Sequence, residues 1–146
     1  MKITFLYVLW LIWIYGGYVA VTACCAWAFR SGGVTERLGA ALIGMGWVVT
    51  GILAKRGQGP GAEIVAIDVT VLLLFIALTL KSRRLWTFFA SACMLNAVFT
   101  HIAHQVTAFG LYSYSTANGF WGGWALLACL AAGVAGHRRA ENCRLS

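Results

Sequence analysis

Charge is what this chain has least of. Asp, Glu, Lys and Arg make up only 10% of its 146 residues, and only four of these are acidic. A water-soluble domain draws about a quarter of its residues from that group, so a soluble fold is excluded. Proline is nearly missing too. The single one, Pro60, stands in Gly57-Gln58-Gly59-Pro60-Gly61, a turn-rich connection. The signatures of several site classes are also missing: a glycine-rich phosphate loop followed by lysine, H-E-x-x-H, G-x-S-x-G, C-x-x-C, and a basic aromatic surface for nucleic acid.

Apolar residues are abundant, at 61% of the chain. They fall into five stretches: Ile3–Phe29, Leu38–Ala54, Ile64–Leu80, Leu85–Phe109 and Thr116–Gly136. Each meets or approaches the ~20 residues that cross a ~30 Å hydrocarbon layer. Almost nothing remains outside them. The sequence therefore predicts an all-α, polytopic membrane helix bundle of five transmembrane helices, one integral-membrane domain over residues 1–146 with a short basic tail at 140–146. The lipid bilayer is its first partner, and no nucleic acid is expected despite a formal net charge of +7, because the basic residues sit at segment ends.

The first stretch, ~27 residues or ~40 Å as a helix, is longer than a flat crossing needs, so it tilts, bends or protrudes, with Gly16-Gly17 the expected bend. A second reading makes Met1–Ala23 a cleaved signal, with Val21-Thr22-Ala23-Cys24 resembling the pattern before a lipidated cysteine; four helices would then remain. Its bulky Tyr and Trp content weighs against this.

Alternation of five spans puts Lys2, Lys55 and Arg56 on one side. Arg30, Arg37, Lys81, Arg83, Arg84, Arg138, Arg139 and Arg144 fall on the other. An excess of that size near helix ends marks the cytoplasmic face, so the N-terminus is expected outside and the C-terminus inside a bacterial inner (plasma) membrane. Tyr112 and Tyr114 fit the outer interface, where amphipathic rings settle.

Small residues recur at four-residue spacing, which lets helices approach closely in lipid. Gly119 and Gly123 form a G-x-x-x-G, and Ala40 and Gly44 repeat the device in the second stretch. These seams are expected to pack other transmembrane helices, from the same chain, a second copy or a larger complex. The five cysteines read as small apolar residues plus one reduced thiol: Cys24 and Cys25 adjacent, Cys93 and Cys129 inside helices, Cys143 in the tail.

One polar constellation stands out. Lys81-Ser82-Arg83-Arg84 alone joins the third and fourth stretches, which must form a tight antiparallel hairpin. Counting ~1.5 Å per residue from the bend places Asp68 level with Asn96, about one turn short of Thr100 and His101, and places Glu63 between His101 and His104. Cys93, Asn96, Thr100, His104 and Thr107 share a stripe with His101 flanking it. A cluster of Asp68, Asn96, Thr100, His101 and His104 is expected, and an ionisable group within a span is a functional candidate by default.

Three functions are compatible with this inventory. The leading one is an accessory, assembly or scaffold subunit, which is not an enzyme. The second is a proton- or cation-coupled transporter or permeation protein using Asp68, since carboxylate and imidazole exchange protons near neutrality. The third is a membrane redox protein with a metal held by His101, His104, Asp68 and Glu63, or with haem on a single histidine; bis-histidine haem is disfavoured because His137 falls at the opposite face. No cofactor is required by the first two. The topology is directly testable: a reporter active only in the cytoplasm should work when fused after Ser146 and fail within Gly57–Gly61, and the reverse pattern would overturn the charge argument.

Overall fold

In the computed structural model the described residues are 2–53, 61–107 and 110–145, with the side chains at positions 2–7, 9 and 10 outside that description. They form α1 (Lys2–Ser31), α2 (Val34–Leu53), α3 (Ala62–Ser82), α4 (Leu85–Val106), α5 (Leu111–Gly119), a π-helical segment (Phe120–Ala125) and α6 (Leu126–Leu145). No strand occurs among the described residues. Five helices are long and apolar enough to cross a membrane, the fifth being the continuous 35-residue run Leu111–Leu145 made of α5, the π segment and α6. Ala54, Lys55, Arg56, most of the Gly57–Gly61 connection and Phe109 lie outside the described residues.

The chain is a small membrane helix-bundle protein. Neighbouring spans pack in chain order, and the last closes the ring by touching both α4 and α1. Between 11% and 33% of each spanning window is buried, so most apolar side chains face outward. Hydrocarbon tolerates that surface and water does not, because burial of apolar area against protein is no longer the driving force in lipid.

Two connections are nearly as short as a chain can make. Gly32-Gly33 joins α1 to α2, and a Cβ on Gly32 would stand 2.6 Å from the Ala28 carbonyl oxygen. Arg83-Arg84 joins α3 to α4, with Arg83 at φ 52°, the left-handed conformation usually left to glycine. Its N–H donates to Thr79 O at 2.9 Å, closing α3. The expected α3–α4 hairpin is therefore present, with Arg30, Arg37, Lys81, Arg83, Arg84, Arg138 and Arg139 gathered at what we term the basic end.

Tryptophans fill the grooves that glycines leave. The Trp86 ring lies between α2 and α6: a Cβ on Gly133 would stand 2.8 Å from its atoms, and one on Gly39 would stand 2.5 Å away. Trp47 lies likewise against Gly17, at 2.9 Å from its missing Cβ, and Gly123, at 3.1 Å. Gly119 faces Trp13 at 3.2 Å and Gly16 faces Trp124 at 3.9 Å. Gly16 and Gly17 therefore seat rings within α1, and Gly119 and Gly123 receive the indoles of Trp13 and Trp47 from α1 and α2. Ala40 and Gly44 meet the Cys25 thiol, which donates to Ala40 O at 3.4 Å and stands 3.8 Å from Gly44's missing Cβ.

The basic tail expected at 140–146 is the continuation of α6, helical to Leu145. Phe75, Ile43, Leu126, Leu130 and Val134 form the centre of the bundle, all under 3% exposed, and Phe75 meets Trp86 edge-on at 6.5 Å. Gly133→Leu should destabilise the bundle by about 1–3 kcal/mol through overpacking against Trp86, whereas Gly136→Ala, with nothing within 4 Å of the new methyl, should leave it unchanged. Thermal unfolding in mild detergent checks this, and equal midpoints for the two variants would contradict the packing described.

Candidate functional site: a buried carboxylate, imidazole and phenol

Away from the basic end, α3, α4 and α5 converge on His101, which is fully buried. The helical period explains its position. Ala90, Met94, Ala97 and His101 recur at i, i+4, i+7 and i+11 and are all buried, so the imidazole ends the seam by which α4 faces the bundle.

Both ring nitrogens are engaged. Nε2 lies 2.7 Å from Asp68 Oδ2 on α3, and Nδ1 lies 2.9 Å from the Tyr114 hydroxyl on α5. An ionised carboxylate can only accept, so with Asp68 charged the Nε2–H donates to it and Nδ1 accepts the Tyr114 O–H. Protonating the ring makes Nδ1 a second donor, and the phenol answers by rotating its hydrogen away. Asp68 keeps a side-chain exposure of 16%, while the imidazole is fully buried and Tyr114 is 8% exposed. The arrangement is a three-member hydrogen-bonded chain.

Its surroundings extend the polar patch. His104 lies against Tyr114 with ring centroids 4.9 Å apart and an interplanar angle of 34°. Thr100 donates to Ala97 O at 2.6 Å and also stands 3.2 Å from Asn118 Oδ1.

The count from the hairpin sets Asp68 level with Asn96 and a turn short of His101, whereas the carboxylate reaches His101; the direction in which each side chain points is not available from such a count. Asn96, at Asp68's predicted level, is exposed on the outer face of α4. Five residues of helix separate it from His101, a rotation of about 140°, so both cannot face α3. Thr100 is joined to Asn118 and is not placed on Asp68 by any described bond. Glu63 is exposed in the first turn of α3 and folds back over Gly61. Among the described residues no three His, Cys, Asp or Glu side chains converge as a metal ion would need, and the two nitrogens of His101 are taken by Asp68 and Tyr114. The donor set His101, His104, Asp68 and Glu63 therefore does not fit a metal.

The sequence pattern groups Tyr114 with Tyr112 as an interfacial ring. Tyr112 is 71% exposed and Tyr114 only 8%, and helical phase from His101 could not reveal this because the two lie on different helices. Sequence patterning alone does not single out Glu36. It is fully buried at the basic end, where Oε1 accepts from Arg84 Nη1 at 2.8 Å and from the Trp86 indole N–H at 3.0 Å. The signal for it is compositional: one of four acids in the chain, set beside arginine-rich connections. No family model, curated protein or solved structure matches the chain.

Tyr114→Phe removes the hydroxyl and leaves Nδ1 buried without a partner, which should cost about 1–3 kcal/mol. Tyr112→Phe, altering an exposed phenol, should cost nothing measurable. Thermal unfolding of the two variants side by side checks the assignment; equal loss in both would refute it.

Proposed function

We propose that this chain is a proton-permeation protein of the membrane in which Asp68, His101 and Tyr114 bind and release the proton in transit. The observation that carries the reading is the 2.7 Å contact between an intramembrane carboxylate and a fully buried imidazole whose other nitrogen meets a phenol. A carboxyl group placed in a span is costly, by a few kcal/mol on insertion scales. A role confined to holding α3 on α4 could be met by neutral amides or by apolar packing, which is often as stabilising as a buried charged pair. Titratable groups in series add what those alternatives lack, a proton position that responds to pH.

The coupling follows from where the three groups sit. Asp68 is on α3, His101 on α4 and Tyr114 on α5, the last reached from α4 through the short connection around residues 107–110. A proton added to the pair neutralises the carboxylate or charges the ring, and either change alters the attraction between α3 and α4. Movement of α3 relative to α4 and α5 is then linked to protonation by the differential affinity of the two arrangements for the proton.

A second reading, an assembly subunit, is favoured by one feature. An apolar groove between α2 and α3, lined by Leu42, Met45, Val49, Ile67 and Leu74 with Gly46 at its floor, could receive a transmembrane helix of a larger complex. The two readings separate under one substitution. Asp68→Asn keeps the shape and can still hydrogen-bond His101 but holds no exchangeable charge. In liposomes loaded with a pH-sensitive dye, the parent should dissipate an imposed pH gradient and Asp68→Asn should do so at least tenfold more slowly, with unchanged folding. Equal rates in the two, or no dissipation by the parent, would leave the assembly reading in its place.

A further inference from the structure

The thiols of Cys93 on α4 and Cys129 on α6 lie 4.0 Å apart, sulfur to sulfur, within membrane-spanning helices. Each is partly exposed. A disulfide has its sulfurs about 2.05 Å apart, so roughly 2 Å of closure is needed, a movement on the scale of χ1 rotations. A dithiol so placed is a two-electron donor, and its position restricts the acceptor. Charged or strongly hydrated oxidants do not enter hydrocarbon, so the acceptor must itself be lipid-soluble.

The outer face of α4 carries groups that suit such a molecule. Phe89, Cys93 and Asn96 recur at i, i+4 and i+7, one stripe of the helix, and Phe99 stands one turn beyond Asn96 and about 60° round from it. Phe89 and Phe99 are 58% and 55% exposed. Asn96 presents an exposed amide one turn from Cys93, a costly group to turn toward lipid without a recipient. Two aromatic rings, an amide donor and a dithiol match the flat ring, the carbonyl oxygen and the two-electron chemistry of one class of compound.

We propose that the Cys93–Cys129 pair is a redox site for a lipid-soluble quinone that docks on this stripe, its ring against Phe89 or Phe99 and one carbonyl oxygen accepting from the Asn96 amide. In the reaction both S–H bonds break and one S–S bond forms. The two electrons and two protons released convert the quinone's two carbonyls to hydroxyls, so the products are the disulfide and one quinol. The bridge ties α4 to α6, which meet along the bundle. This site is separate from the Asp68 triad, and neither depends on the other.

The test uses the full chain, reduced, in phosphatidylcholine liposomes under argon with decylubiquinone as the probe. Quinol formation is followed by absorbance, and the bridge by peptide mass after alkylation of free thiols. The parent should give one quinol per chain together with the Cys93–Cys129 cross-link, and Cys93→Ser and Cys129→Ser should each give none. Asn96→Leu should slow the quinone reaction about five- to tenfold, the loss of one hydrogen bond. The same variant should close its bridge with copper phenanthroline at the parent's rate, which separates docking from folding and from the proximity of the thiols. No quinol from the parent overturns the proposal, even where copper phenanthroline closes the bridge. So do quinol from Cys93→Ser at the parent's yield, an Asn96→Leu rate equal to the parent's, and a Cys93–Cys93 link between chains, which would show that a second copy covers the face.

Discussion

The contact on which the rest of the bundle depends is the one that Glu36 Oε1 makes with both Arg84 and Trp86. A buried carboxylate is tolerated only when charge and hydrogen bonds answer it, and removal of one partner from such a pair typically costs about 3–5 kcal/mol. Here the answer comes from the α3–α4 turn and from the first turn of α4, so one acid at the start of α2 ties three helices. Trp86, held by its indole N–H, then fills the space between Gly39 and Gly133 and sets the distance of α6 from α2. Fifteen residues of rigid helix, roughly 22 Å, carry that register from Trp86 to His101.

The two polar sites differ in completeness. In the triad every nitrogen of the imidazole has a partner, and the phenol and carboxylate answer it. At the basic end Glu36 Oε2 has no hydrogen-bond partner among the described residues while its sister oxygen accepts two. Both Oε2 and the His137 ring lie within 3.2 Å of the point where a Gly33 Cβ would sit, and His137 Nε2 is 3.5 Å from Glu141 on the same helix. The basic end thus combines a pinned carboxylate with an imidazole close by, and the far end a hydrogen-bonded triad in which both imidazole nitrogens are engaged.

Tryptophan seats on glycine at several seams of this bundle, and small residues meet directly at others, as where a Cβ on Gly122 would stand 3.4 Å from that of Ala97. The difference matters for how the surface is divided. With Trp13, Trp47, Trp86 and Trp124 turned toward glycines, part of each seam is filled from within the chain, and the outward surface is mainly aliphatic and aromatic, with the exposed amide of Asn96 on α4. That outward face is where the dithiol of Cys93 and Cys129 meets lipid.

Hydropathy and charge are sums over consecutive residues, and so the sequence by itself determined the five spans, the hairpin around Arg83-Arg84 and the gathering of arginines at one end. Rise per residue is the same for every helix, and counting suffices for such quantities. Rotation about each helix axis is decided by packing between helices, and only the tertiary structure could supply it. It turned His101 inward and Asn96 outward, brought Tyr114 across from α5, set Glu36 beneath Arg84 and Trp86, and placed the sulfurs of Cys93 and Cys129 within 4.0 Å. Each of those pairings joins residues of different helices, whose relative azimuth no local pattern encodes when apolar residues surround the helix on every side.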